Sequence, residues 1–164
     1  GVVVAFGYMP EQEDVEADPM IANSVVSRNL TGAMTVLLHL ADHFENIRIG
    51  FVVGITSVAG DRGRAKNYVY GAAKSGFTTF LSGLRSRLAK VGVPVLTVKP
   101  GFVDTSMTWG LDGLFAVADP ASVGDSIAKA IANGKDEIYV PGFWRMIMFI
   151  IRHVPEGIFK KMKF

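Results

Sequence analysis

The chain has 164 residues, enough for one domain with a substantial core, and a formal charge of only +2 from 17 basic and 15 acidic side chains. Its basic residues are dispersed except near the C-terminus, so no basic, aromatic-interleaved stripe is offered to nucleic acid. The absence of cysteine excludes disulfides and thiolate chemistry and fits a reducing, cytoplasmic setting.

The opening residues, GVVVAFGYMP, carry no basic region or cleavage-like site and do not read as a signal peptide. Val2 to Phe6 is instead a largely β-branched run, suited to a strand buried on both faces of a parallel sheet. The acidic cluster Glu11, Glu13, Asp14, Glu16 and Asp18 reads as a solvated loop rather than a cation site. Asp18-Pro19 then starts a helix, with Asp as cap and Pro at the first helical position, that runs to about Phe44. On it, His39 and His43 have the spacing of a zinc pair, but no third ligand accompanies them, and no metal site is expected. Asn29-Leu30-Thr31 matches a glycosylation acceptor, yet it lies in a predicted buried helix, so that reading is rejected. Phe51 to Ile55 forms the second strand, a helix follows from about Asn67 to Lys90, and Val93 to Lys99 forms the third strand. Asp119-Pro120 caps a further helix ending near Asn133-Gly134, and Glu137 to Val140 is the last strand. No apolar run reaches the ~18 residues that would cross a bilayer.

Residues 143–164 stand apart from the domain at 1–142. Phe143, Trp144, Met146 to Ile151 and Val154 are apolar, and Arg145, Arg152, Lys160, Lys161 and Lys163 flank them. Two readings stay open: a peripheral anchor lying in the lipid headgroup region, or a terminal helix covering the core or a subunit interface.

The chemistry concentrates between Ser57 and Lys74. Ser57 ends an apolar strand, Tyr70 follows thirteen positions later, and Lys74 lies one helical turn beyond Tyr70 on the same face. A free phenol titrates near ~10, and a neighbouring ammonium favours the phenolate. A fall of about three units corresponds to ~4 kcal/mol, and that pairing is expected to supply much of it. A serine hydroxyl can hold a substrate oxygen beside the tyrosine.

The pattern Ser57-x12-Tyr70-x3-Lys74, with Asn29 upstream and Pro100-Gly101-Phe102-Val103-Asp104-Thr105 downstream, resembles the active site of the short-chain dehydrogenase/reductase family. Four elements in order at matching spacing are far more specific than Tyr-x3-Lys alone. The resemblance implies a partial Rossmann-like three-layer α/β/α domain with a mostly parallel sheet. Its strands would be the family's fourth to seventh, without the first βαβ half that carries the glycine-rich pyrophosphate turn. It further implies NAD or NADP as cofactor and a ketone or secondary alcohol as substrate. Ser57, Tyr70, Lys74 and Asn29 would be catalytic, Asn29 holding a water that links Lys74 to solvent; alternatively its amide only ties down backbone. Tyr70, Lys74, Pro100, Gly101, Val103 and Thr105 would bind cofactor. Ala5-Phe6-Gly7 stands where the family has Asn-Asn-Ala-Gly, so Gly7 either admits the cofactor or is a turn glycine. Met107, Trp109 and Leu111, with Leu114 and Phe115 beyond, look like an apolar substrate lid or else pack on the sheet, and the two long helices look like a dimer interface, which tight packing on their own sheet does not exclude. A looser resemblance, to the subgroup reducing decaprenylphosphoryl 2-keto-pentoses at the bacterial inner membrane, implies a lipid-linked ketone. The alternative is an incompetent fragment of such an enzyme, serving as a dimerisation or membrane-associated module.

Overall fold

The computed structural model describes residues 1–111 and 113–162. Four strands, β1 (Val2–Val4), β2 (Val52–Ile55), β3 (Val95–Pro100) and β4 (Glu137–Val140), form one sheet in the order β1-β2-β3-β4 with every pairing parallel. β3 is buried along all but its last residue, as a central strand covered on both faces must be. β1 is shorter than expected: it leaves the sheet after Val4, and Phe6 is half exposed rather than buried.

Among the described residues, seven helices surround the sheet: α1 (Gln12–Ala17), α2 (Pro19–Val26), α3 (Gly32–Ile47), α4 (Tyr68–Leu88), α5 (Pro120–Ala132), α6 (Trp144–His153) and α7 (Glu156–Phe159). The acidic segment expected to be loop contains α1, whose first turn carries Glu13 and Asp14 where the helix dipole favours negative charge. α2 and α3 are one continuous rod joined by a π-helical turn at Ser27–Thr31. Its buried residues Val25, Asn29, Ala33, Leu37 and Ala41 recur every four positions. An ideal α-helix would rotate such a series off the core, and the wider π turn brings it back.

On one face of the sheet, Leu37, Phe44, Phe77, Leu81 and Leu88 of α3 and α4 pack on Val4, Val52 and Val95. On the other, Val123, Ile127 and Ile131 of α5 pack on Val53, Leu96 and Val98. Arg85 fastens α4 to the sheet by donating to the Val95 carbonyl (2.8 Å) and the Thr97 hydroxyl (2.7 Å). The strands' carboxyl ends therefore emerge together, held from both sides, and the segments that carry Gly7, Ser57 and Gly101 leave from them.

The terminal segment is no free appendage. Trp144 and Met148 of α6 are buried against Val58, with Phe102, Tyr139, Ile147 and Ile151 around them. Lys163 lies outside the described residues.

Candidate active site

β2 delivers Ser57 in extended conformation, where its Oγ accepts from the Ala59 N–H (3.1 Å) and caps a 3-10 turn at Val58–Gly60. That turn presses on α4 because neither surface has a side chain in the way. A Cβ on Gly60 would stand 2.9 Å from the Lys74 carbonyl carbon, and one on Gly71 would stand 2.8 Å from the Ala59 oxygen. The glycines thus bring Ser57 against the turn of α4 that carries Tyr70 and Lys74.

Tyr70 and Lys74 are both buried, so they are not an ordinary solvated helix pair. Burial pushes the Tyr70 phenol up to about 12, and hydrogen bonding with Ser57 pulls weakly the other way. Burial pushes the Lys74 ammonium down to about 8. The expectation that Lys74 makes the phenol acidic is not met in this state of the site. Lys74 Nζ lies 5.7 Å from the Tyr70 ring centroid and donates to the Ile55 carbonyl at 3.1 Å, so desolvation rules both groups.

Asn29 sits in the π turn, fully enclosed. Its Oδ1 accepts from the Tyr8 N–H (3.1 Å), while its Nδ2 donates to the carbonyls of Tyr8 (2.6 Å) and Val25 (2.9 Å). The amide therefore does tie down backbone, and one Oδ1 lone pair remains. The bend it holds brings Gly7 into the corner. A Cβ there would be 3.0 Å from Asn29 Oδ1, 3.4 Å from Met107 Cε and 3.5 Å from Lys74 Nζ. Gly7, Asn29, Lys74 and Met107 thus converge, with space beside Gly7 that any larger residue would fill.

Pro100 ends β3, and Gly101 follows directly under the Trp144 indole, which a Cβ on Gly101 would strike. Beyond it, Phe102 and Asp104 pair with Ala118, while the Val103 carbonyl accepts from the Thr108 hydroxyl (2.6 Å) and the Thr105 hydroxyl (3.4 Å). The Val103 N–H has no acceptor among the described residues. The lid divides: Met107 reaches the corner and Leu111 is half buried, but Trp109 is 70% exposed with its Nε1 donating to Asp104 (2.9 Å). Trp109 therefore does not line the site in this conformation.

Sequence reasoning missed the supports of this corner. Asp61, just after the Ser57 turn, is buried with Lys99 at 2.9 Å and accepts from the Tyr139 hydroxyl at 2.6 Å; Glu137 also pairs with Lys99 at 3.0 Å. Burial works to lower the Lys99 pKa, but hydrogen bonds to Asp61 and Glu137 outweigh it and the net shift is upward. Arg62 donates to the Ile151 and Val154 carbonyls (2.6 Å each) and to Glu156 (2.8 Å), and stacks on Phe159 at 3.8 Å. The one available signal was the adjacent Asp61-Arg62 in an otherwise small-residue stretch. Among the described residues no group of acidic or histidine side chains could hold a metal ion, and His39 and His43 are exposed.

The donors present fit the nicotinamide end of a dinucleotide. Two donors stay uncommitted at this corner among the described residues: the Lys74 ammonium beyond its Ile55 bond, and the Val103 N–H. Parallel strands with reactive side chains at their carboxyl ends define the Rossmann-like α/β class. Residues 2–112 match the family model for short chain dehydrogenases, and the chain belongs to that family. It is 35% identical over 160 residues to an uncharacterised oxidoreductase of Mycobacterium tuberculosis, covering 98% of this chain and 64% of that protein's length. A short chain dehydrogenase from Burkholderia cenocepacia in complex with NADP superposes with a TM-score of 0.76 at 20% identity, over 93% of this chain and 68% of that one. A 3-oxoacyl-[acyl-carrier protein] reductase from Brucella melitensis with bound NAD gives 0.69 at 24%, over 84% and 60%. Among the described residues no helix is long and apolar enough to cross a membrane.

Proposed function

We propose that this chain carries the catalytic half of an NAD- or NADP-dependent oxidoreductase that reduces a ketone to a secondary alcohol, or runs the reverse. In this reading the bound nicotinamide supplies the hydride that reaches the carbonyl carbon. Ser57 holds the carbonyl oxygen, and Tyr70 delivers the proton that the oxygen needs as the carbon is reduced. A phenol held near 12 is fully protonated at neutral pH, a state suited to giving its proton to an incipient alkoxide. Lys74, with its pKa brought down to about 8, is a ready donor to restore that proton. The free Oδ1 lone pair of Asn29, beside Gly7 and Lys74, suits a water that relays protons from solvent. Pro100, Gly101, Val103 and Thr105 border the carboxamide end, and Lys74 and Tyr70 hold the ribose. The burial of Tyr70 and Lys74 in one corner with Ser57 carries this assignment.

A lipophilic or lipid-linked ketone suits the apolar Met107 and Leu111, and a tail resting on a bilayer suits the same substrate. Pairing of two copies through α3 and α4 completes the reading. The decisive experiment replaces Tyr70 by Phe in the complete protein. Turnover should fall by about 10²–10⁴-fold, while cofactor affinity, still held through Lys74 and the segment from Pro100 to Thr105, weakens far less; unchanged turnover refutes the role.

A further inference from the structure

Residues 63–65, the start of α4 at Tyr68, and residues 156–162 line a half-open pocket of about 340 Å³. Its charged and aromatic walls are Arg64, Tyr68, Glu156, Phe159 and Lys160. Arg64 is the anomaly. Its Nε is enclosed without an acceptor, and no carboxylate among the described residues pairs with it. Burial alone acts on the guanidinium, lowering its pKa with no neighbouring charge to compensate. The guanidinium is only partly buried, so its terminal nitrogens reach the pocket while its enclosed Nε stays unpaired, a state folded proteins rarely leave.

The contrast with Arg62, two residues earlier, is instructive. Arg62 meets two carbonyls, a carboxylate and an aromatic face, and in doing so engages Glu156 at 2.8 Å. The other nearby carboxylate, Glu16, accepts from the Tyr68 hydroxyl at 3.0 Å. Glu156 and Glu16 are thus engaged, and among the described residues Arg64 and Lys160 are the charges at the pocket that no acid pairs with. We infer that this cavity is an anion site, built for the phosphate of a phosphomonoester or phospholipid headgroup. A guanidinium fork matches two phosphate oxygens, and Lys160 adds a mobile point charge at the rim. The apolar walls Ala65, Phe159 and Met162 leave room for the group the phosphate carries. None of the lining residues is assigned to hydride transfer, so the inference stands apart from that reading.

Isothermal titration tests it on the whole chain, with inorganic phosphate in one arm and water-soluble dihexanoyl phosphatidic acid in the other. Saturable binding is expected, weakened at least tenfold by Arg64→Gln and several-fold by Lys160→Gln. Lys66→Gln, on the same loop outside the cavity, should bind as wild type. Phosphatidic acid binding at least tenfold tighter than phosphate would identify a lipid headgroup, and equal affinities a free phosphate or small phosphomonoester. Absence of saturable binding in both arms, or binding that survives Arg64→Gln unchanged, overturns the site. Should Arg64→Gln fail to give the native circular dichroism spectrum, Lys160→Gln at its exposed position decides alone, and wild-type affinity there is fatal.

Discussion

Lys74 is held where its charge is expensive. Its pKa is about 8 in the folded chain against 10.5 as the ordinary value, which makes the buried ammonium cost about 3 kcal/mol at neutral pH. Between pH 8 and 10.5 the unfolded chain binds the lysine proton and the folded chain does not, so stability attributable to this group rises with pH across that window. Below pH 8 both states are protonated and the full penalty applies. Lys74→Met should therefore be more stable than wild type at pH 7, by up to about 3 kcal/mol less the ~1 kcal/mol of the lost Ile55 hydrogen bond. The advantage should shrink towards pH 10.5. Urea unfolding of both proteins at pH 7 and pH 10 measures it, and parallel pH slopes would contradict the shift. That Tyr70 and Lys74 share a helix face was legible from periodicity, whereas Ser57 joined them only through the family resemblance. The titration was not legible, since the phenol's rise to about 12 comes from burial that spacing does not report.

Among the elements, α6 carries the sharpest ambiguity in the sequence and the clearest resolution in the structure. Met146 to Ile151 is uninterruptedly apolar, so no periodicity distinguishes a buried face from an exposed one. Packing divides the run: Trp144 and Met148 are buried beneath it, while Met146, Phe149 and Ile150 are 64%, 60% and 58% exposed. Similarly, nothing in the sequence marks the π turn at Asn29, and the Asp61–Lys99 support showed only in the adjacent Asp61-Arg62, its partners being distant in sequence. α6 itself carries the exposed Arg145 and Arg152 among its outward apolar side chains, and each basic side chain near an anionic bilayer is worth about 1 kcal/mol. The chain should co-sediment with vesicles containing phosphatidylglycerol, release in high salt, and bind pure phosphatidylcholine poorly. Phe149→Glu should cut the bound fraction several-fold with its circular dichroism spectrum unchanged. Deleting 143–164 would be the wrong test, because it strips Trp144 from Gly101 and Val58 and frees Arg62. No sedimentation with anionic vesicles would refute the contact.

For the whole molecule, the β-branched run at Val2 to Phe6 and the family resemblance anticipated a parallel layered sheet, whereas what lies against its outer surfaces cannot be read from one chain's periodicity. α3 and α4 run side by side over one face, locked together by Arg87, which reaches Glu45 at 2.7 and 2.8 Å as well as Asp42. Their inner faces are consumed by the core. On the outer side of α4, Ala72, Ser75, Thr79, Ser82 and Ser86 are exposed at intervals of three and four, a single smooth stripe. Beside it α3 presents the half-exposed Val36 and Leu38. Small residues let a second pair of helices approach closely enough to cover those apolar side chains, and the same stripe on a two-fold mate is self-complementary. Sedimentation velocity should therefore find a dimer. Thr79→Arg sets a long charged side chain at the middle of the stripe without touching the core, and should shift the boundary to the monomer with helix content preserved. A wild-type chain that sediments as a monomer at high concentration, or a Thr79→Arg dimer as tight as wild type, would rule out this face.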